Sequence, residues 1–122
     1  MATNYSQDGQ TVTWTNDTGS DVSSGDPVVL GSQLGVAITD IADGDIGGVA
    51  LEGVWELPKA TGSAIDFGAV VDYDDSASKI DGDITAAEGD LLGCGVAWAD
   101  AGSDDETVMV KINASGATIQ GA

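Results

Sequence analysis

"QTVTWT", residues 10–15, alternates without a break: Val12 and Trp14 fall on one side of an extended chain, and Thr11, Thr13 and Thr15 on the other. A period of two marks a strand with one packed face and one wet face, and β-branched and aromatic residues suit that pleated surface. Far along the chain "ETVMVKIN", residues 106–113, repeats the pattern, setting Val108, Val110 and Ile112 against Thr107, Met109 and Lys111. Between the two lie "PVVL" (27–30), "QLGVAI" (33–38), "GGVALEGVWEL" (47–57), "GAVVDY" (68–73) and "LLGCGVAWA" (91–99), each bounded by Gly or Asp. The pattern predicts an all-β fold of about seven short strands with little helix, either a small sandwich or a β-barrel of the β-tulip kind.

The punctuation agrees. Gly25, Gly44, Gly68 and Gly89 are each followed by Asp or Ala and then by apolar residues, a loose internal echo of turns that lead into strands. The spacing is too uneven for a solenoid or propeller. In 91–99, Leu92, Cys94, Val96 and Trp98 share one face while Gly93, Gly95 and Ala97 share the other, so another backbone is expected to approach closely there. Gly53 reads as a bulge or bend, and Pro58, with no N–H to give a ladder, ends its strand. Lys59 follows, near Glu56 and Asp66. The best helix signal, Thr85 with Glu88 at capping-box spacing, is stopped by Gly89 after about a turn.

At 122 residues the chain suits one domain. Residues 1–10, polar apart from Tyr5, read as a flexible N-terminal arm, and residues 11–122 as a single β-rich domain whose end, "ASGATIQGA" (114–122), is a weak last strand or a loose end. Twenty-one Asp and Glu against three lysines and no arginine leave a formal net charge of −18. Phosphate binding needs clustered cations, so nucleic acid is excluded as a partner, and an anionic membrane is disfavoured for the same reason. Copies of so negative a chain repel one another unless salt screens them over a Debye length of about 8 Å, which fits a saline setting as well as it fits a merely soluble acidic domain. No secretory signal is legible at the N-terminus, and no stretch reaches the ~18 apolar residues of a membrane span. Synthesis in a cytoplasm is the expectation.

Histidine is absent, and with it the usual nucleophile–base and zinc constellations. Carboxylate pairs could run glycoside hydrolysis, but among so many acids some pair always looks suitable, so no enzyme and no cofactor is expected. "DYDDSASKIDGD" (72–83) gathers hard oxygen ligands, yet counted as an EF-hand loop it puts Ala77 where Gly belongs and Asp83 where Glu belongs. No defined metal site is expected. The lone Cys94 sits in an apolar run and reads as a buried thiol. Sequons at Asn16 and Asn113 read as chance patterns. Trp14, Trp55 and Trp98 lie in apolar strand patterns, pointing to core or interface packing, with carbohydrate platforms as the alternative.

Residues 40–75, "DIADGDIGGVALEGVWELPKATGSAIDFGAVVDYDD", carry a further signal in three pieces: Asp40 to Gly47, Gly53 to Lys59, and Ala64 to Val71. In that order they resemble a family of small phage capsid cement proteins, similar to the lambda-type head decoration proteins, and "MATNYSQDGQTVTW" and "LLGCGVAWADAGSDDETVMVKI" extend the resemblance over nearly the whole chain. The resemblance implies a noncatalytic structural virion protein. It would bind the major capsid protein on the outer surface of an icosahedral head, as a homotrimer at local three-fold positions, and stabilise the head against internal DNA pressure. The implied capsid contact is the arm at Thr3, Asn4 and Tyr5, and the expected subunit interface is Trp55, Leu57 and Lys59. A carbohydrate-binding module using exposed tryptophans is the competing function.

Overall fold

The computed structural model describes residues 10–82, 84, 87–114 and 118–120. All ten elements are β-strands, in two antiparallel sheets. In the first, β1 (Thr11–Thr15), β2 (Pro27–Leu30), β3 (Gln33–Ala37) and β4 (Ile46–Ala50) run in the order β1-β4-β3-β2. The second holds β5 (Val54–Pro58), β6 (Val70–Asp74), β7 (Lys79–Asp81), β8 (Leu91–Ala97) and β9 (Thr107–Ile112) in the order β5-β9-β8-β6-β7, with β10 (Thr118–Ile119) pairing Leu91 and Leu92 of β8. Neither sheet closes into a barrel; a single parallel bridge between Lys59 and Ile80 draws the two edges of the second sheet together.

The sequence pattern falls short of ten strands at three places. "GGVALEGVWEL" is two strands in different sheets, and Gly53, at φ 108°, is where the chain crosses from one to the other. A left-handed φ of that size strains any residue with a Cβ. β7 follows β6 through a tight turn whose Asp74 Oδ1 accepts from Ser76 N at 3.1 Å and Ser76 Oγ at 2.8 Å. β10 is only two residues long. Of the expected helical turn, Thr85 and Ala86 lie outside the described residues, and Ala87–Asp90 forms a β-turn closed by Asp90 N donating to Ala87 O at 3.0 Å.

The two sheets are copies of one four-stranded unit, with β1, β2, β3 and β4 answering to β5, β6, β8 and β9. Both units carry the same turns: Gly25 N donates to Ala37 O and Gly68 N to Ala97 O, each at 2.8 Å, with both glycines at positive φ. Ser24 N reaches Asp40 Oδ1 at 2.8 Å in one, and Phe67 N reaches Asp100 Oδ1 at 2.7 Å in the other. An antiparallel bridge joins Val22 to Ile41, and its counterpart joins Ile65 to Ala101. "NDTGSDVSSGDPVV" (16–29) and "KATGSAIDFGAVVD" (59–72) show the kinship, as do "LGVAITD" (34–40) and "CGVAWAD" (94–100). Asn16 and Lys59, which occupy the same place after β1 and β5, are both buried.

Burial is unequal between the units. The main cluster is built mostly on the inner face of the second sheet, from Leu57, Val71, Ile80, Leu91, Ala97, Val108, Val110 and Ile112. Leu34 and Val36 of β3 join it and Cys94 of β8 belongs to it, so the units meet through equivalent strands. A smaller cluster of Val28, Ala37, Ile41 and Val49 serves the first sheet, with Val12 and Trp14 packed against it. Fully burying side chains of this size contributes roughly 1.5–3 kcal/mol each. Asn113 fastens the units: its Oδ1 accepts from Leu34 N at 2.9 Å, and its Nδ2 donates to Leu34 O at 2.8 Å and Leu51 O at 2.9 Å.

Candidate interaction surface

The alternation that buries Val108, Val110 and Ile112 turns Met109 and Lys111 outward on β9. Pairing extends that outer face across the sheet, since Val70, Val96, Lys111 and Val54 stand in one cross-strand row. Beside it, Trp98 follows β8 opposite Met109, to whose carbonyl its N–H donates at 2.8 Å, and Met109 pairs with Glu56 of β5. Phe67, in the turn that leads to β6, sets its ring 6.1 Å from that of Trp98 at an interplanar angle of 55°. Lys111 Nζ stands 5.3 Å from the Trp98 ring centroid, within cation–π reach. Phe67 is 63% exposed, Val70 53% and Trp98 46%. This is an apolar patch around a lysine in a chain of net charge −18. Contiguous exposed apolar surface of this kind marks interaction sites.

The corresponding face of the first sheet is more modest. Ile38 stands where the second unit has Trp98, and Ser24 where it has Phe67. Ile38 and Ile46 are exposed there at 44% and 67%, beside the outward Thr11, Thr13 and Thr15 of β1.

Of the residues the sequence singles out, Thr3, Asn4 and Tyr5 lie outside the described residues. Trp55 is half-buried against the main cluster, and its Nε1 donates to Glu52 O at 2.9 Å. Leu57 is fully enclosed within the protomer. Lys59 is 1% exposed, and its Nζ donates to Ala60 O at 2.8 Å. The outward residues of β5 are instead Val54 and Glu56. Trp14 is half-buried in the first unit. Sequence reasoning did not single out Phe67, Met109 or Lys111 as a surface, although the outward half of the "TVMVKI" alternation held the signal for two of them.

Many aspartates are structural acceptors. Asp26, Asp90 and Asp105 each take the N–H of the residue three places before, closing the turns that lead into β2, β8 and β9. Asp72 Oδ1 accepts Gly93 N at 2.8 Å, where the register of β6 against β8 shifts. Among the described residues no three Cys, Asp or Glu side chains are grouped so as to hold a metal ion. A cleft of about 470 Å³ between the units is lined by Trp14, Val28, Pro58, Tyr73, Asp26 and Asp75. Both sequon asparagines use their amides within the fold: Asn16 Nδ2 donates to Ser20 O and Ile41 O, and Asn113 is the fastener described above. Neither nitrogen is available to carry a glycan.

Cys94 is fully buried, and loss of water pushes its thiol up to about 12, with the Asp72 charge adding to the shift. Burial likewise raises Tyr73 above its ordinary 10.0. An unfolded chain ionises Cys94 from about pH 9 while the folded chain keeps the proton to about 12. The folded state therefore binds more protons in that window, and stability falls as pH rises through it, by up to about 1.4 kcal/mol per pH unit for the thiol. Urea unfolding at about pH 8 and about pH 10.5 should show a larger loss in the wild type than in Cys94→Ala, and equal losses would refute the assignment.

The family model described as phage cement protein matches residues 6–112. No curated protein matches the chain.

Proposed function

Because the chain belongs to the phage cement protein family, a structural, capsid-associated kind of protein, we propose that it docks on the outer surface of an assembled icosahedral head. There it acts as a homotrimer at local three-fold positions and braces the shell against the pressure of packaged DNA. The match over residues 6–112 is the observation that carries this reading. Charge supports the outward placement, since 21 carboxylates set inside the shell would face DNA phosphate. In this reading the partners are the major capsid protein and further copies of the chain, no substrate is turned over, and synthesis takes place in the host cytoplasm. The arm at Thr3, Asn4 and Tyr5 contacts the capsid protein in this reading, and β1, the first described strand after it, lies at the edge of its sheet, where a partner strand could add. Of Trp55, Leu57 and Lys59, Trp55 keeps surface for a subunit contact.

Mixing the purified protein with expanded, undecorated heads should give saturable binding at a fixed number of copies per shell, and should raise the temperature at which the heads release DNA. Protein found inside the particle, or heads that bind none, would sink the proposal. Three chains of −18 repel strongly, so the trimer draws on buried apolar area and needs screening. Sedimentation across a salt series should show association tightening as salt rises, and a monomer at every salt concentration would count against it.

A further inference from the structure

We propose that the outer face of the second sheet, around Lys111, packs head-to-tail on the outer face of the first sheet of another copy. The inference rests on the self-association part of the proposed function and is independent of capsid docking.

Three observations carry it. First, both units leave apolar surface open, although the outer side of β3 at Leu34 and Val36 is already covered by the inner-face cluster of the second sheet. Both faces then run out into solvent, one at Ile38 and Ile46, the other at Val70, Trp98 and Met109. Second, all three lysines, Lys59, Lys79 and Lys111, lie in the second unit, and residues 10–53 contain none. Lys79 lies in the β6–β7 hairpin and Lys59 is buried, which leaves Lys111 as the cation at the centre of the exposed apolar face. The first unit offers Asp40 and Asp45 beside Ile38 and Ile46, and no cation to repel Lys111. Third, pairing two second-unit faces would bring Lys111 toward Lys111, whereas a second-unit face on a first-unit face joins unlike charge over apolar surface. A contact between two different patches is heterologous, and it closes into a ring when each step turns by one third of a circle.

Head-to-tail contacts have a distinctive test. Trp98→Asp removes one half of the contact and Ile46→Asp the other, and both side chains are exposed, so each variant should keep the wild-type melting temperature and far-UV spectrum. In sedimentation at high salt, each variant alone should need a concentration at least about tenfold higher than the wild type to associate. An equimolar mixture should form a two-chain species, because the intact second-unit face of the Ile46→Asp chain meets the intact first-unit face of the Trp98→Asp chain. Phe67→Asp provides a second variant on the same face, with the same expectation. A wild type that stays monomeric, a variant that associates as the wild type does, or a mixture that never pairs would each overturn the inference. Binding to undecorated heads is scored separately: a wild type that associates but leaves heads bare fails the cement reading while this contact stands, and a Trp98→Asp protein that still associates but loses the heads assigns the face to the capsid and overturns the contact.

Discussion

Asn113→Ala is expected to destabilise the protein by roughly 3–5 kcal/mol and to lower its melting temperature by on the order of 10 °C. The asparagine makes three hydrogen bonds across the junction of the units, and their loss leaves Leu34 N, Leu34 O and Leu51 O to find other partners where space is short. Its backbone adds to the cost, since at φ 60° it occupies the left-handed region that asparagine tolerates and alanine does not. Two further variants separate these causes. Asn113→Gly keeps the backbone and loses the bonds, and should fall short of the alanine effect by about 1 kcal/mol. Asn113→Asp keeps the acceptor for Leu34 N but turns a carboxylate toward two carbonyl oxygens, and should be at least as harmful as alanine. Thermal melts of the three, unchanged from wild type, would show that the fastener is idle.

Gly95→Ala is the second large effect, at about 2–4 kcal/mol. A Cβ on Gly95 would lie 2.6 Å from Val110 Cγ1, 2.7 Å from Lys111 O and 3.3 Å from Ile112 Cα. Two of those neighbours are backbone atoms of the paired strand β9, which cannot yield without breaking the ladder. Gly35 is its equivalent in the first unit and makes a telling control. A Cβ there meets the side chains of Val49 and Leu30 most closely, with Ala50 O farther off at 3.4 Å, so Gly35→Ala should cost less, about 1–2 kcal/mol after those side chains shift. Adding Val110→Ala to Gly95→Ala should not restore wild-type stability, because it leaves the backbone clash in place and opens a hole in the main cluster. Equal stability of Gly95→Ala and wild type in urea would refute the close approach.

Strands were legible because period-two patterning depends only on which face is wet, and "QTVTWT" and "TVMVKI" show it in adjacent residues. The turns were legible for a similar reason: Gly25, Gly44, Gly68 and Gly89 all take the positive φ that their spacing before apolar runs suggested. The duplication behind that echo was hidden. Thr18-Gly19-Ser20 and Thr61-Gly62-Ser63 match because both turns make the same demands on the backbone, whereas the strands between matched turns are held by packing, which accepts many apolar sequences. The insertion of β7 also lengthens the chain between β6 and β8, whose counterparts β2 and β3 are separated by a short turn, so the spacing of the repeat is lost although β8 holds the place of β3 in its sheet. The burial of Lys59 within its own protomer was not legible, because it depends on the edge-to-edge bridge with Ile80, a residue distant in sequence. The sequence pattern leaves Trp98 open between core and interface. Alternation places it on the face of Cys94, yet Cys94 is fully buried and Trp98 is half exposed, so two residues of one face differ between core and surface. Such a distinction depends on where a second layer stops, which no local pattern records.

Two look-alike halves on one chain also create a hazard while the protein is being made. β1 and β5 fill equivalent edge positions, so a nascent chain could seat either strand in either slot, or trade it with a neighbour on the same messenger. The places where the copies differ act as labels against that error: Pro58 stands where β1 has Thr15, and the Lys59 ammonium cannot take over the donor-and-acceptor role that Asn16 fills toward Ser20, Ile41 and Thr18. Drift between the halves is thus a form of proofreading, and a gene rebuilt from two identical halves would yield tangled product.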